Sequence, residues 1–428
     1  MSLKSEKKII NGWAFYDWAN SVYPLVITTA IFPTFYSAIT PDKVTFFGLS
    51  FINTELYAYI GATSFLIVSI LSPILTGIAD YMGNKKIFLK LFCYIGAASC
   101  CSLYYFDENQ LELSMIPVVL AGVGFWGSIV FYNSYLPDIA PKSEHDKISA
   151  KGFSLGYLGS GILLIIDLIL IMNWETFGFK SQGYASRFAF LTAGIWWVAF
   201  SQYTYLVLPK GNKKITTQNM FTKGFEELVK VFKEFKTQEH LKKYLRAYFI
   251  YSMGVQTIMY MATLFAAKEI DWGTDDKAKS GLIISVLIIQ FIAIGGSYFC
   301  SWLSKKLGNI KALTFIVTSW ILACIIAFYI TQPVEFYCLA TLVGFIMGGT
   351  QSLSRSTYSK LLPQTNDTAS YFSYYDVLEK LGIVVGTISF GFINALTGSM
   401  RATVFVLAAY FIIGAFLLLL VPKEVQKI

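Results

Sequence analysis

The stretch Gly77–Lys86 reads GIADYMGNKK and separates two long apolar runs of this 428-residue chain. Its glycines permit close helix approach and a sharp chain reversal, because glycine lacks the side chain that restricts the backbone. Its paired lysines favour the cytoplasmic side of a membrane, where basic loop residues accumulate. Asp80 is placed to meet the N-terminus of a neighbouring helix or a basic partner. We therefore expect this stretch, the Gly77 loop, to be a tight cytoplasmic turn between two membrane-spanning helices.

The composition predicts that most of the chain lies in lipid. It is 55% hydrophobic and 14% charged, with a mean hydropathy of +0.56, whereas soluble domains carry about 25% charged residues. A spanning helix needs about 20 mostly apolar residues, and such runs recur along nearly the whole sequence. They predict an all-α polytopic membrane protein with about twelve spans, at 13–38, 54–79, 87–106, 113–136, 148–172, 185–208, 244–267, 280–303, 311–330, 334–358, 371–396 and 401–421.

The net charge of +8 is distributed by side of the membrane. Lysines cluster in alternate loops, including 85–90, 142–151 and 209–243, while the opposite loop between Phe106 and Met115 carries three acids and no base. This asymmetry predicts that both termini are cytoplasmic. The basicity thus encodes topology and gives no reason to expect a nucleic-acid partner. In a bacterium, the protein would be a multi-pass protein of the plasma (inner) membrane.

Cysteine and histidine give no sign of a metal site or a disulfide framework. All six cysteines fall inside predicted spans, where they are expected to be reduced packing residues. The two histidines, His145 and His240, fall in predicted loops and cannot assemble a metal cluster. We expect no metal and no cofactor.

The chain divides into two similar halves. The Gly77 loop has a degenerate counterpart 225 positions later, WLSKKLGNIK at Trp302–Lys311 (the Trp302 loop), and YNSYLP at Tyr132–Pro137 resembles YSKLLP at Tyr358–Pro363, 226 positions later. Two similar offsets indicate parallel six-helix repeats. We predict an N-terminal bundle at 1–208, a cytoplasmic linker at 209–243 and a C-terminal bundle at 244–428. The linker motif FEELVKVFKEF has the spacing of an amphipathic helix, which would lie on the inner membrane surface or act as a soluble regulatory helix.

The Gly77 loop resembles the loop between helices 2 and 3 of the major facilitator superfamily. Further stretches narrow the match, namely FYDWANSVY (15–23), VFYNSYLPDIAP (130–141), KGFSLGYLGSG (151–161), GVQT (254–257), GGTQSLSRSTYSKLLP (348–363) and LTGSMR (396–401). Together they resemble the vacuole-effluxer family, which comprises fungal autophagy-linked amino-acid exporters and bacterial relatives, and the resemblance runs from about residue 11 to 421. It implies two pseudo-symmetric bundles and a secondary transporter that exports a small solute, such as an amino acid, by alternating access.

The chain departs from this family pattern at two places. Many members carry an acidic residue before the glycine of GVQT, where this chain has Met253, and the Gly-Pro often found in helix 11 is Gly386-Thr387 here. The first departure removes a carboxylate that could have coupled ion and solute movement.

In the superfamily that the chain resembles, helices 1, 4, 7 and 10 line the solute cavity. Their polar and aromatic residues suit a small, partly apolar, zwitterionic solute and fit a multivalent anion poorly. The candidate cavity residues are Asp17, Asn20, Tyr23, Tyr132, Asn133, Gln256, Tyr260, Gln351 and Ser354.

Ionisable residues inside spans are costly and should have partners. Asp376 and Lys380 can pair on one helical face, and Arg355 could meet Asp376 or Glu379 as a cytoplasmic gate; static ion pairing is the alternative. Asp167 should face the bundle, as a coupling site or a static hydrogen-bond partner. Because Lys305 replaces Asp80 in the Trp302 loop, a latch at Asp80 would reside in the N-terminal half and dock on the start of helix 11 near Asp376. The candidate coupling and gating residues are Gly77, Asp80, Gly83, Lys85, Lys86, Asp167, Arg355, Asp376, Glu379 and Lys380.

Other classes of protein fit less well. A membrane enzyme would need a convergent catalytic group, and the sequence has no HExxH motif, P-loop or histidine-rich cluster. A channel would need a selectivity filter. A carrier for another metabolite or drug-like solute, and a non-transporting scaffold or lipid scramblase of the same fold, stay open. We expect a monomer in the bilayer that binds a small solute, with a proton or another ion as the coupling partner.

Overall fold

A computed structural model describes residues 3–211 and 220–422. In this part of the chain nearly every segment is helical. The N-terminal part contains α1 (Leu3–Asn20), a π-helix (Tyr23–Ala30), α2 (Phe32–Ile39), α3 (Asn53–Met82), α4 (Lys85–Ser102), α5 (Leu111–Asn133), α6 (Leu136–Ile139), α7 (His145–Met172) and α8 (Gln182–Val207). The remainder contains α9 (Met220–Thr237), α10 (Glu239–Glu269), α11 (Asp275–Leu307), α12 (Asn309–Tyr329), α13 (Pro333–Leu361), α14 (Thr368–Thr397) and α15 (Met400–Leu419). Short 3₁₀ turns occupy Leu103–Tyr105, Glu108–Gln110 and Lys142–Glu144.

The helices confirm the polytopic all-α architecture. Within the described residues, 11 helical segments are long and apolar enough to cross a membrane. The sixth predicted span, 185–208, coincides with α8, a continuous helix of 26 residues that is not among the 11. Its tyrosines, its glutamines and Arg187 lower its hydropathy. Length and apolarity thus reproduce the predicted series except at this helix, and the cytoplasmic position of both termini stays a prediction.

The chain forms two compact units that do not follow the sequence halves. Unit 1 comprises Met1–Tyr135 and Leu155–Leu228, and unit 2 comprises Leu136–Ser154 and Val229–Ile428. These units differ from the expected division in two respects. The segment Leu136–Ser154, which we call the docked segment, belongs to unit 2 although it lies within the first half of the sequence. The expected linker at 209–243 is shared between the units, and its residues 212–219 lie outside the described part of the chain.

The first spanning segment of unit 1 is not a uniform α-helix. After α1 the chain continues as the π-helix, which contains Pro24. The Pro24 carbonyl accepts hydrogen bonds from the hydroxyls of both Thr28 and Thr29, at 2.7 Å each. Hydroxyl side chains often supply such extra donors to backbone carbonyls where a spanning helix departs from regular α geometry. Such π-helical turns occur frequently at functional sites.

Small residues bring α11 and α13 of unit 2 into backbone contact. A Cβ added to Gly296 would lie 1.9 Å from the carbonyl oxygen of Phe345, and one added to Gly348 would lie 2.1 Å from that of Ala293. The Ser297 hydroxyl donates a hydrogen bond to the Gly348 carbonyl across the same contact (3.0 Å). Spanning helices commonly associate through small residues in this way, because lipid gives apolar side chains no reason to cluster.

One β-hairpin interrupts the helical architecture between α2 and α3. Strands β1 (Lys43–Phe46) and β2 (Leu49–Ile52) are antiparallel, and Phe46 pairs with Leu49 beside the turn. The two turn residues, Phe47 and Gly48, have φ values of 47° and 78°. A bulky residue in this left-handed region is uncommon, and the conformation costs about 1–2 kcal/mol for a residue other than glycine.

Candidate gating and solute-binding sites

The lysines of the Gly77 loop cap the ends of two other helices. Lys85 Nζ donates a hydrogen bond to the Ser134 carbonyl (2.7 Å), directly after α5, and lies 4.6 Å from the centre of the Tyr135 ring. Lys86 Nζ donates to the Leu208 carbonyl (2.6 Å), directly after α8. Both lysines are buried. Because the carbonyls at a helix C-terminus lack partners within the helix and carry partial negative charge, a buried ammonium there is favourable.

The reversal in this loop depends on Gly83. This residue ends α3 with φ 63°, and its N–H donates to the Asp80 carbonyl (3.0 Å). The structure thus places Asp80 in the last turn of α3. Its expected contact near the start of the eleventh predicted span, which is α14 in the structure, stays a prediction.

Gly77 lets the linker helix lie directly on α3. A Cβ on Gly77 would lie 2.3 Å from the Gly224 carbonyl oxygen, and one on Gly224 would lie 2.8 Å from the backbone nitrogen of Ile78. The amphipathic helix expected from FEELVKVFKEF is present as α9, with Phe225 and Phe232 exposed. The close approach predicted for Gly77 is therefore made with α9.

The second part of α9 pairs with the beginning of α14 inside unit 2. Lys230 Nζ lies 2.8 Å from Asp367 Oδ2, directly before α14. The Tyr371 hydroxyl donates to Glu234 Oε2 (3.2 Å), and the Phe235 ring stacks on a neighbouring tyrosine of α14. The first part of α9 thus lies on α3 within unit 1, and its second part contacts α14 within unit 2.

The Trp302 loop holds a buried carboxylate that comes from the docked segment. Asp146 accepts hydrogen bonds from Lys360 Nζ (2.6 Å), Asn309 Nδ2 (2.7 Å) and the Ser304 hydroxyl (2.8 Å). Lys360 Nζ also donates to Asn309 Oδ1 (2.9 Å). The side chains of Asp146 and Lys360 are 2% and 7% exposed. The carboxylate is therefore paired and hydrogen-bonded, which is what a buried charge requires.

Arg355 makes a second contact with the docked segment. Its Nε donates to the Ser149 hydroxyl (2.9 Å) and its Nη2 to the Ser149 carbonyl (3.0 Å). The guanidinium lies 4.1 Å from the centre of the Phe153 ring, a cation–π arrangement. Arg355 therefore binds backbone and hydroxyl groups of α7. Its expected ion pair with Asp376 or Glu379 stays a prediction.

Three charged residues of α14 form a buried cluster with a glutamine of α10. Lys380 pairs with Asp376, as their spacing predicts, and its Nζ lies 3.9 Å from Glu379 Oε2. Gln256 Nε2 donates to Glu379 Oε1 (2.7 Å). Asp376 Oδ2 has no hydrogen-bond partner in residues 3–211 and 220–422. The structure thus joins a predicted cavity residue, Gln256, to a predicted gating residue, Glu379.

The other cavity candidates of unit 2 contact different groups. The Ser354 hydroxyl lies 2.8 Å from the Tyr251 hydroxyl, and the Ser354 carbonyl accepts a hydrogen bond from the Tyr244 hydroxyl (2.8 Å). Gln351 Nε2 lies 3.3 Å from a methionine sulfur on α10, and Tyr260 is about one-third exposed. Ser354 thus joins the packing between α10 and α13.

In unit 1, Asp17 and Tyr132 come together as a buried pair. The Tyr132 hydroxyl donates to Asp17 Oδ2 (2.8 Å), and Trp13 stacks on the Tyr132 ring at 4.5 Å. Asn133, the next residue along, ends α5. Asn20 is buried, and its Nδ2 has no hydrogen-bond partner in the described chain, while Tyr23 begins the π-helix. Asp17 of span 1 and Tyr132 of span 4, which were predicted separately, therefore contact each other.

Asp167 is fully buried within unit 1. Its Oδ1 accepts a hydrogen bond from the Thr192 hydroxyl on α8 (2.8 Å), and its Oδ2 has no partner in the part of the chain that the structure describes. The side chain faces the bundle, as its polarity predicts, and one oxygen is free to accept a proton or a donor.

The contacts of Asp146 were not predicted, because this residue falls between the predicted spans 113–136 and 148–172. One signal was available: Lys360 occupies in YSKLLP the place of Ser134 in YNSYLP. The Ser134 carbonyl accepts a hydrogen bond from Lys85, whereas Lys360 is itself the lysine and binds Asp146. A further pattern also needs its structural context. Gly152–Gly156 reads GFSLG and matches GxSxG, but Ser154 lies buried inside α7 and not on the strand-to-helix turn of a hydrolase.

The helical architecture, the related loops of the two halves and the buried polar groups define a transporter of the major facilitator type, which is not an enzyme. The chain belongs to the vacuole effluxer Atg22-like family, whose model matches residues 5–427. It is 32% identical over 425 residues to the uncharacterized MFS-type transporter YxiO of Bacillus subtilis, covering 99% of this chain and 96% of that protein. Autophagy-related protein 22 of Saccharomyces cerevisiae is 24% identical, with 82% and 75% covered.

Solved structures agree on the fold. The major facilitator transporter FucP, crystallised in its outward conformation, matches with a TM-score of 0.70 at 16% identity, covering 98% of this chain and 99% of that chain. A bacterial homologue of the iron transporter ferroportin matches with a TM-score of 0.68 at 10% identity, covering 99% and 100%. The protein is therefore a multi-pass integral membrane transporter, and its bacterial relative is consistent with a plasma-membrane location.

Proposed function

We propose that this protein is a secondary active transporter that exports a small zwitterionic solute, such as an amino acid, by alternating access. The observation that carries the solute class is the hydrogen bond between Gln256 and Glu379 within a buried cluster that holds two carboxylates and one lysine. Its formal charge is −1 when Asp376, Glu379 and Lys380 are all ionised. A buried charge without compensation is unfavourable, so this cluster favours a ligand with a cationic group.

An ammonium group or a proton would supply that compensation. Glu379 is the more accessible of the two carboxylates, with 17% of its side chain exposed against 4% for Asp376. The ammonium of an amino acid would bind Glu379 beside the Gln256 amide. A proton that binds either carboxylate would weaken the binding of this ammonium group. Competition between the two cations at one carboxylate would couple export to proton entry. Asp167, with its free oxygen, is the second candidate for a coupling proton.

The docked segment supports the gating part of the proposal. It is held in unit 2 through Asp146 and Ser149, yet α7 continues from it into unit 1. In the proposed cycle, this segment leaves and rejoins unit 2, so the contacts of Lys360 and Arg355 are made in one state and broken in the other. Because both halves lie in one chain, the proposal takes the monomer as the functional unit.

Counterflow in proteoliposomes tests the proposal. Proteoliposomes that contain the wild-type protein and are loaded with an unlabelled amino acid should accumulate the labelled amino acid. The same solute should raise the melting temperature of the purified protein as its concentration increases. Glu379→Gln keeps an acceptor for Gln256 but removes the charge, so counterflow should fall strongly. Glu226→Gln removes the charge of an exposed acid on α9 and should leave counterflow unchanged. The absence of counterflow and thermal shift with all amino acids, or a Glu379→Gln variant as active as wild type, would refute the proposed solute.

A further inference from the structure

The hairpin of β1 and β2 has one apolar and one mixed face. Because side chains alternate along a strand, Val44, Phe46, Leu49 and Phe51 share one face, and the cross-strand pairs Phe46–Leu49 and Val44–Phe51 join them. Val44 is buried, whereas Leu49 is 64% exposed. The apolar face is therefore covered at the base of the hairpin and open at its tip.

The turn presents a phenylalanine in an unfavourable backbone conformation. Two-residue turns with positive φ at both positions usually contain asparagine, aspartate or glycine, but here Phe47 occupies the first position. Its side chain is 76% exposed. An exposed aromatic residue at this position neither relaxes the backbone nor improves solubility. A strained residue that persists is a reason to look for a function of its side chain.

Neighbouring contacts show which environment the tip faces. The Phe47 N–H donates to Glu112 Oε1 (3.0 Å) near the start of α5, and the Phe51 ring meets that of Tyr59 on α3 at 6.1 Å. Tyr59 and the α5 residues Leu113 and Ile116 are exposed and lie within membrane-spanning segments. Exposed apolar patches of this kind mark contact with a membrane. We take these residues as lipid-facing, so the hairpin continues that surface at the end of α3 opposite the Gly77 loop.

We propose that the hairpin Lys43–Ile52 is a membrane-interface anchor, in which Phe47 and Leu49 insert among the phospholipids of the adjacent leaflet. By the expected topology this is the outer leaflet. Lys43 and Thr45, on the opposite face, stay in the aqueous headgroup layer. Aromatic residues are enriched at this depth, since an apolar ring next to polar backbone suits the boundary between lipid and water. The proposal does not depend on the transported solute.

Position-specific fluorescence tests the anchor in the full-length protein. Leu49→Cys and Thr45→Cys each carry an environment-sensitive nitrobenzoxadiazole label in phosphatidylcholine–phosphatidylglycerol liposomes, and labelled wild-type protein corrects for the native cysteines. The label at Leu49 should emit at shorter wavelength and lose emission when the acyl chains are brominated near the headgroup. The label at Thr45, on the same strand pair, should instead be quenched by aqueous iodide.

Two outcomes would overturn the anchor. Equal iodide quenching at both positions would place the tip in water, and a Leu49 signal that follows the protein-to-lipid ratio would show contact with a second copy of the chain. Phe47→Asn tests the turn residue itself. Asparagine suits the turn, so the fold should persist, but bromolipid quenching at the Leu49 label should fall. Unchanged quenching would show that Phe47 does not hold the hairpin in lipid.

Discussion

Replacing Asp146 by alanine should release the docked segment from unit 2. The carboxylate accepts three hydrogen bonds, from Lys360, Asn309 and Ser304. Its removal leaves the buried Lys360 ammonium with Asn309 Oδ1. Removing one partner of a buried ion pair typically costs about 3–5 kcal/mol. At 1.36 kcal/mol per factor of ten, the docking equilibrium should shift by roughly 10²- to 10⁴-fold.

Amide hydrogen exchange in the full-length protein measures this shift. Peptides covering residues 142–154 should exchange faster in Asp146→Ala by the same factor, as long as exchange proceeds through release of the segment. Glu226→Ala is a matched control, because Glu226 and Lys223 form an ion pair with the same 2.6 Å separation in an exposed position. Exposed pairs contribute about 0–1 kcal/mol, so exchange around the control site should change by less than about fivefold.

A double-mutant cycle with Lys360→Ala separates the ion pair from other effects. Asp146 also lies in the first turn of α7, where a negative charge stabilises the helix by itself. This contribution cancels in the cycle. Since the double variant leaves no unpaired charge at this site, it should lose less than the sum of the two single losses. Additive losses, or unchanged exchange of residues 142–154 in Asp146→Ala, would refute the assigned role of this cluster.

Three further changes test other contacts. Gly77→Ala places a methyl group 2.3 Å from a backbone oxygen of α9 and should lower the stability of this contact by about 1–3 kcal/mol. Trypsin should therefore cleave α9 faster in this variant than in Gly61→Ala, whose added methyl group meets nothing within 4 Å. Equal cleavage of the two variants would contradict the contact. Arg355→Ala should strongly slow solute exchange in proteoliposomes while it lowers the melting temperature only slightly. Exchange at the wild-type rate would contradict a gating role for Arg355. Asp167→Asn should keep solute binding but lose accumulation driven by a pH gradient; undiminished accumulation would show a static hydrogen bond.

The spans were readable from sequence because the bilayer imposes a minimum apolar length on every crossing helix. The i,i+4 pair of Asp376 and Lys380 was equally accessible, since helix geometry alone brings such residues together. The inward orientation of Asp167 followed from the cost of exposing a carboxylate to lipid. These inferences need only local geometry and a solvent, and the structure agrees with each of them.

The contacts that the sequence did not reveal depend on distant partners. Asp146 meets a lysine 214 positions away, and no periodic pattern marks such a pair. Lys85 and Lys86 were interpreted as topology signals, but they also cap carbonyls at the ends of two helices. The hairpin escaped notice because its turn contains Phe47 where an asparagine would have marked it.

The passage of the docked segment through unit 2 has a consequence for dissecting the protein. A C-terminal fragment starting after the linker would lack Asp146 and Ser149. Its Lys360 and Arg355 would then lose the hydrogen-bond partners that these two residues supply. An N-terminal fragment would in turn contain the docked segment without the residues of unit 2 that bind it. The halves are thus related in sequence but are not interchangeable modules. Chimeras between family members should exchange the docked segment together with the C-terminal half.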